Sequence, residues 1–174
     1  FESVVGSAFA DVIHGTAFAE NFVGNGGDDL FHGAGGADNF DGSAGFDTVS
    51  YETSSAGVSV NLQTGATGAG GDETGDSFTS IERLVGSVHA DTLTALDAGS
   101  TLDGDEGNDV LTGDFGNDIL LGGSGDDLIS GEAGADTLEI HDLKGSSVNN
   151  INYDLGVSVG GNVTQLVEMT EAAF

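Results

Sequence analysis

Residues 104–130 read GDEGNDVLT, GDFGNDILL and GGSGDDLIS, three successive copies of one nine-residue unit. Followed outward, the register runs from Gly86 through GSVHADTLT and ALDAGSTLD into these copies, and on through GEAGADTLE to Glu139. The same period divides Gly6 to Ser50 into GSAFADVIH, GTAFAENFV, GNGGDDLFH, GAGGADNFD and GSAGFDTVS. Across the eleven units position 1 is Gly in ten, position 4 is Gly in seven, position 6 is Asp in nine, and position 8 is large and apolar in all. Positions 7 to 9 suffice for a short strand whose middle side chain points one way and whose flanks point the other. Position 8 therefore faces a core: Ile13, Phe22, Phe31, Phe40 and Val49, then Leu93, Leu102, Leu111, Leu120, Ile129 and Leu138. Positions 1 to 6 reverse the chain, with glycines supplying positive φ values that a Cβ resists. Two units complete one coil, so units n and n+2 stack about 4.8 Å apart and the strands run parallel.

Stacking sets carboxylates above one another. Asp11, Asp29 and Asp47 form one column, with Glu20 and Asp38 opposite; in the second series Asp91, Asp109 and Asp127 form another, with Asp118 and Asp136 opposite. Carboxylates repeating at strand spacing repel by a few kcal/mol per pair at an intermediate dielectric. A divalent cation reverses the sign. Calcium fits best, because it takes six to eight hard oxygens in flexible geometry. The turn carbonyls of Gly24, Gly26, Gly27, Gly33, Gly35, Gly36 and Gly42 would complete the shells in the first series. Those of Gly104, Gly107, Gly113, Gly116, Gly122, Gly123, Gly125, Gly131 and Gly134 would do so in the second. Zinc and copper prefer nitrogen or sulfur donors, which the columns lack, and magnesium demands stricter octahedral geometry.

The composition agrees. Of 174 residues 31 are Gly and 30 are acidic; Arg83 and Lys144 are the sole Lys or Arg, and the formal charge is −28. Such a charge pushes a compact state apart, yet the 37% apolar content exceeds that of a chain disordered through charge alone. Bound cations resolve the conflict. Nucleic-acid and anionic-lipid partners are disfavoured for want of clustered basic residues. No run of about 18 apolar residues exists to span a membrane. Collagen is excluded by the absence of proline and of a three-residue glycine period. The start at Phe1, without Met or a signal peptide, points to a fragment of something larger.

These units resemble the G-G-x-G-x-D-x-U-x nonapeptide of the RTX (repeats-in-toxin) calcium-binding proteins; GGSGDDLIS at Gly122 to Ser130 fits it at every fixed position. The resemblance implies an all-β, right-handed parallel β-roll with calcium in the turns. It also implies export from Gram-negative bacteria by type I secretion, the chain staying unfolded where calcium is scarce and folding outside. The absence of cysteine fits a chain that does not rely on disulfides.

Both series open on degenerate units. Position 4 holds Phe9, Phe18, His89 and Ala98, and the position-6 carboxylate is Glu20 in one unit and missing in another, where Ser100 stands. These turns are expected to take another shape and to serve as entry caps, with Phe9 or Phe18 covering the open end of the roll. Residues 51–85 lack the nonapeptide and read as irregular coils joining the blocks 1–50 and 86–139, with a linker as the alternative. IERLVGS at Ile81 matches FESVVGS at Phe1 in four of seven positions, giving a tandem repeat of about 80 residues. The elements between the blocks are similar to those of large RTX proteins and of mannuronan epimerase modules. Asp72, Glu73 and Asp76 read as an exposed acidic loop, an extra calcium site being the minor alternative. Residues 140–174 read as a C-terminal cap, with an export segment as the runner-up.

Competing chemistries find little. His14 and His32 fall eighteen residues apart on one outer face without a third ligand, and no G-x-S-x-G or H-E-x-x-H motif occurs. Asp103 to Gly107 resembles an EF-hand loop but has Gly at its fifth position and no flanking helical pattern. Asp28 and Asp126, at position 5, read as solvated charge. Position 7 is too mixed for an ice-binding face. The expectation is a monomeric, non-catalytic, secreted calcium-binding module with about six to eight ions. An accessory module of a polysaccharide-modifying enzyme, or a segment of a large adhesin contacting a cell-surface ligand, stands as the alternative.

Overall fold

A computed structural model of the chain describes residues 2–66 and 71–139; the expected C-terminal cap lies outside them. Strands are the regular elements among the described residues: β1 (Glu2–Val5), β2 (Val12–His14), β3 (Glu20–Val23), β4 (Leu30–His32), β5 (Asn39–Asp41), β6 (Thr48–Ser50), β7 (Ser59–Asn61), β8 (Gly65–Ala66), β9 (Ser77–Thr79), β10 (Arg83–Val85), β11 (Thr92–Thr94), β12 (Thr101–Asp103), β13 (Val110–Thr112), β14 (Ile119–Leu121), β15 (Leu128–Ser130) and β16 (Thr137–Glu139). In all eleven units the strand occupies positions 7 to 9, or begins one residue earlier at Glu20. The chain is a parallel β-solenoid. Partners within each series lie eighteen residues apart, as in Ile13 with Phe31 and Leu111 with Ile129.

One seven-stranded sheet, in the order β16-β14-β12-β10-β6-β4-β2, runs through both series. The opposite side is divided between a four-stranded sheet, β1-β3-β5-β9, and a five-stranded one, β15-β13-β11-β7-β8. Every position-8 side chain of the two series is buried in a single core, joined by Val58, Val60, Leu62, Ile81 and Leu84 from residues 51–85. Phe22 and Phe40 stack at 5.2 Å between centroids, and Phe78 continues the pile at 5.7 Å from Phe40. Aromatic stacks of this kind arise because the parallel register sets identical side chains above one another.

Residues 51–85 are built into the solenoid in an unexpected order. β7 pairs with β11 above it and not with β5, and the free place on β5 is taken by β9, which comes later in the chain. β8 folds back antiparallel on β7 between them. β10 then stacks on β6 and carries β12.

The expected aromatic lid is absent. Phe9 and Phe18 are each 78% exposed, because position 4 lies at the outer bend of the turn. At the start of the roll β1 lies against β3 instead, with Val4 packed on the core.

Candidate metal centre

Where strands end, their hydrogen-bond ladder is continued by side chains. The position-6 carbonyl still accepts from the next coil, as Asp29 O does from the Thr48 N–H at 2.8 Å. The position-6 N–H has no carbonyl above it and donates to the carboxylate of the coil above. Asp11 donates to Asp29 Oδ1, Asp29 to Asp47, Asp91 to Asp109, Asp109 to Asp127 and Asp118 to Asp136, all at 2.8–3.0 Å. The sequence-predicted columns are therefore brought together residue upon residue. They also join across the blocks: the Asp47 N–H meets Glu82 Oε2, and the Glu82 carbonyl accepts the Thr101 N–H at 2.8 Å; within the second series the Ser100 N–H meets Asp118 Oδ1. Along the seven-stranded sheet the column reads Asp11, Asp29, Asp47, Glu82, Ser100, Asp118 and Asp136. Opposite, Glu20 and Asp38 are followed by Asp76, which accepts the Asp38 N–H at 2.8 Å. Asp91 starts the remaining column and accepts from the Val58 N–H at 2.7 Å.

The second carboxylate oxygen divides the turns into two kinds. In Asp29, Asp38, Asp47, Asp109 and Asp118, Oδ2 is buried with no hydrogen-bond partner. It lies against the position-1 glycine of its own turn: a Cβ on Gly33 or Gly113 would come within 2.7 Å of Asp38 or Asp118 Oδ2. Gly24, Gly42, Gly104, Gly122 and Gly131 meet Asp29, Asp47, Asp109, Asp127 and Asp136 in the same way. Glycine at position 1 is thus a matter of space.

In the degenerate turns the chain satisfies that oxygen itself. The Ser7 N–H reaches Asp11 Oδ2 at 2.5 Å, and the Thr16 N–H reaches Glu20 Oε2 at 3.0 Å, its hydroxyl bonding the same carboxylate. Ser87 gives Asp91 both its N–H, at 2.6 Å, and its hydroxyl, at 2.9 Å. In the turn from Ala95 the Ser100 hydroxyl accepts the Leu96 N–H in place of a carboxylate. The position-2 backbone N–H, turned onto the position-6 side chain, is the common donor in all four, and these turns contain no left-handed non-glycine residue.

The regular turns are shaped otherwise. Their position 2 is left-handed even where it is not glycine, at Asn25, Ala34, Ser43, Asp105, Asp114 and Glu132, as well as at Gly123. Position 4 has φ of 105° at Gly27, 144° at Gly36, 146° at Gly107 and 140° at Gly125. Gly116 and Gly134 pack close against the coil below, where a Cβ would strike the backbone of Gly99 and Gly116 respectively. Gly26 and Gly35, at position 3, have room for a Cβ, which would make only ordinary contacts at 3.8–3.9 Å.

Burial governs the charge of the regular turns. It pushes the Asp38 and Asp109 carboxyls up to about 7 and that of Asp118 up to about 6, against the opposing pull of the N–H each accepts. Asp47 and Asp127 are raised for the same reason. Among the described residues no three His, Cys, Asp or Glu side chains gather closely enough to hold a metal ion by themselves. The donors that fit an ion are the orphaned oxygens together with turn carbonyls, an all-oxygen set suited to calcium.

Other sequence expectations are met differently. Asp72, Glu73 and Asp76 are not an exposed loop: Glu73 and Asp76 are buried, Asp76 taking the Tyr51 hydroxyl on Oδ2 at 2.7 Å. Asp28 is exposed but tied, accepting the Phe46 N–H at 2.9 Å, as Asn108 does for Asp126. His14 and His32 stack at 4.6 Å, and burial, then the neighbouring His14, lowers the His32 pKa. Arg83 pairs with Asp103 at 2.6 Å. Glu82 and Asp76 were missed as column members. Each could have been found from the strand that follows it, Arg83 to Val85 and Ser77 to Thr79.

A parallel β-solenoid whose glycine turns stack carboxylates over orphaned oxygens defines a repeat module built to take hard cations. Residues 14–49, 85–120 and 103–138, together more than half of the chain, match the family model described as RTX calcium-binding nonapeptide repeat (4 copies). The chain belongs to this family and is a calcium-binding structural module. A comparison with the curated proteins returned no match.

Proposed function

We propose that the chain is the calcium-folded, non-catalytic part of a larger extracellular protein, exported before it folds. The observation that carries this reading is the set of five buried, partnerless Oδ2 atoms on Asp29, Asp38, Asp47, Asp109 and Asp118. An ionised carboxylate taken out of water without a counter-charge is costly, by several kcal/mol per ion. Bound calcium supplies that counter-charge, and its binding free energy then becomes folding free energy. The ions belong to the turns of these five residues, with Asp127 and Asp136 continuing the columns, and adjoining glycine-turn carbonyls complete the donor sets. The turns of Asp11, Glu20 and Asp91 need no ion, since Ser7, Thr16 and Ser87 already occupy their carboxylates. Membership of a family typical of secreted proteins supports export.

The test is circular dichroism of the chain in chelator and during calcium titration. A cooperative gain of β signal with calcium is expected. The same β content with and without calcium would overturn the reading.

A further inference from the structure

The segment GDETGDSFT, residues 71–79, falls into the nonapeptide frame outside every residue matched by the family model. Gly71 stands at position 1, Asp76 at position 6 and Phe78 at position 8, with β9 at positions 7 to 9. It stacks on the unit of Asp38 through the Asn39 to Ser77 register. One feature differs from the other turns. Asp76 Oδ2 has turned to the Tyr51 hydroxyl, and the place against the position-1 glycine is held by Glu73: a Cβ on Gly71 would strike Glu73 Oε2 and come within 3.0 Å of Ser54 Oγ. Glu73 is 0% exposed, and neither of its oxygens has a hydrogen-bond partner. The coil below presents Asp38 Oδ2, likewise buried and without a partner.

We propose that the turn from Gly71 to Asp76 is a further divalent-cation site in which Glu73, from position 3, supplies the free carboxylate that position 6 supplies elsewhere. Its ligands are oxygens alone: Glu73, the Asp38 carboxylate of the coil below, and turn carbonyls. Calcium is the ion this set suits. Among the described residues no Lys or Arg side chain pairs with Glu73, because Arg83, the one present there, is bound to Asp103. The proposal rests on the reading that stacked carboxylate turns hold calcium, and the experiment separates the two.

Calcium stoichiometry of the full 174-residue chain is measured by equilibrium dialysis for the native protein, Glu73→Gln and Asp109→Asn. Terbium replaces calcium in a parallel arm, excited through tyrosine, since Tyr51 is hydrogen-bonded to Asp76 within this turn. Glu73→Gln is expected to lose one ion and the Tyr51-sensitised terbium emission, while Asp109→Asn loses an ion and keeps the emission. Native stoichiometry in Glu73→Gln, with greater stability in chelator, would mean that Glu73 is a neutral buried acid and would overturn the site. If neither variant changes the stoichiometry, the calcium assignment of the regular turns fails as well. Should Glu73→Gln not fold, Tyr51→Phe decides: loss of the emission supports the site and unchanged emission refutes it.

Discussion

Asp109 accepts the Asp91 N–H on Oδ1 and leaves Oδ2 buried without a donor. The two oxygens therefore have separable roles, one extending the strand ladder and one needing positive charge. An asparagine keeps the first role, because its amide oxygen still accepts, and abolishes the second. Asp109→Asn should therefore fold no worse than the native chain in chelator, and should need more calcium than the native chain to reach half folding. Asp109→Ala loses both roles and orphans a buried N–H, at a cost of about 1–3 kcal/mol. Calcium titrations followed by circular dichroism, compared across the three proteins, check the order; equal behaviour of Asn and Ala would contradict it. At this scale the sequence disclosed the carboxylate column but not the division of labour, because which oxygen finds a donor depends on the coil below.

At the scale of the turn, position 2 is left-handed in every regular unit, although the chain places glycine there in one case. A residue with a Cβ pays roughly 1–2 kcal/mol for that conformation, and asparagine less, because its short polar side chain tolerates it. Ala34→Gly should therefore raise the stability of the calcium-saturated protein by up to about 1 kcal/mol, while Asn25→Gly should change it little. Urea unfolding at saturating calcium measures both, and a destabilised Ala34→Gly would show the turn to be shaped otherwise. The degenerate turns were legible as exceptions from Phe9, Phe18, His89 and Ala98. Their closure by the N–H groups of Ser7, Thr16 and Ser87 was not, because a backbone N–H at position 2 meets the carboxylate four residues on only when the turn folds that carboxylate back over it.

For the molecule as a whole, Arg83 is the one Lys or Arg among the described residues and pairs with Asp103, which leaves the acidic columns there to solvent cations and to protons. Without calcium, protons compete for the same oxygens. Burial raises Asp38 and Asp109 to about 7 and Asp76 and Asp118 to about 6, from an ordinary value of 3.8. A folded-state pKa above the unfolded one means that the folded chain holds more protons, so stability falls as pH rises through the interval. The contribution is complete below about 4 and lost by about 7 to 8. In chelator the β signal should therefore increase as the pH is lowered from about 8 to about 5, and a loss of signal on acidification over that range would refute the assignment.

Period, core and ligand type follow from the sequence because they repeat locally: a strand of three residues, a turn of six, one apolar and one acidic column. The order of coils across residues 51–85 was decided by tertiary structure alone. β7 and β9 are consecutive parallel strands on the same side of the solenoid, so the tandem copies FESVVGS and IERLVGS fall on opposite sheets, in β1 and β10. That exchange splices Asp11, Asp29 and Asp47 through Glu82 and Ser100 to Asp118 and Asp136. It also turns Glu73 inward, where a linear reading had seen an exposed acidic loop. No local pattern could announce either, since an N–H finds its acceptor across 33, 35 or 38 residues there and across eighteen elsewhere.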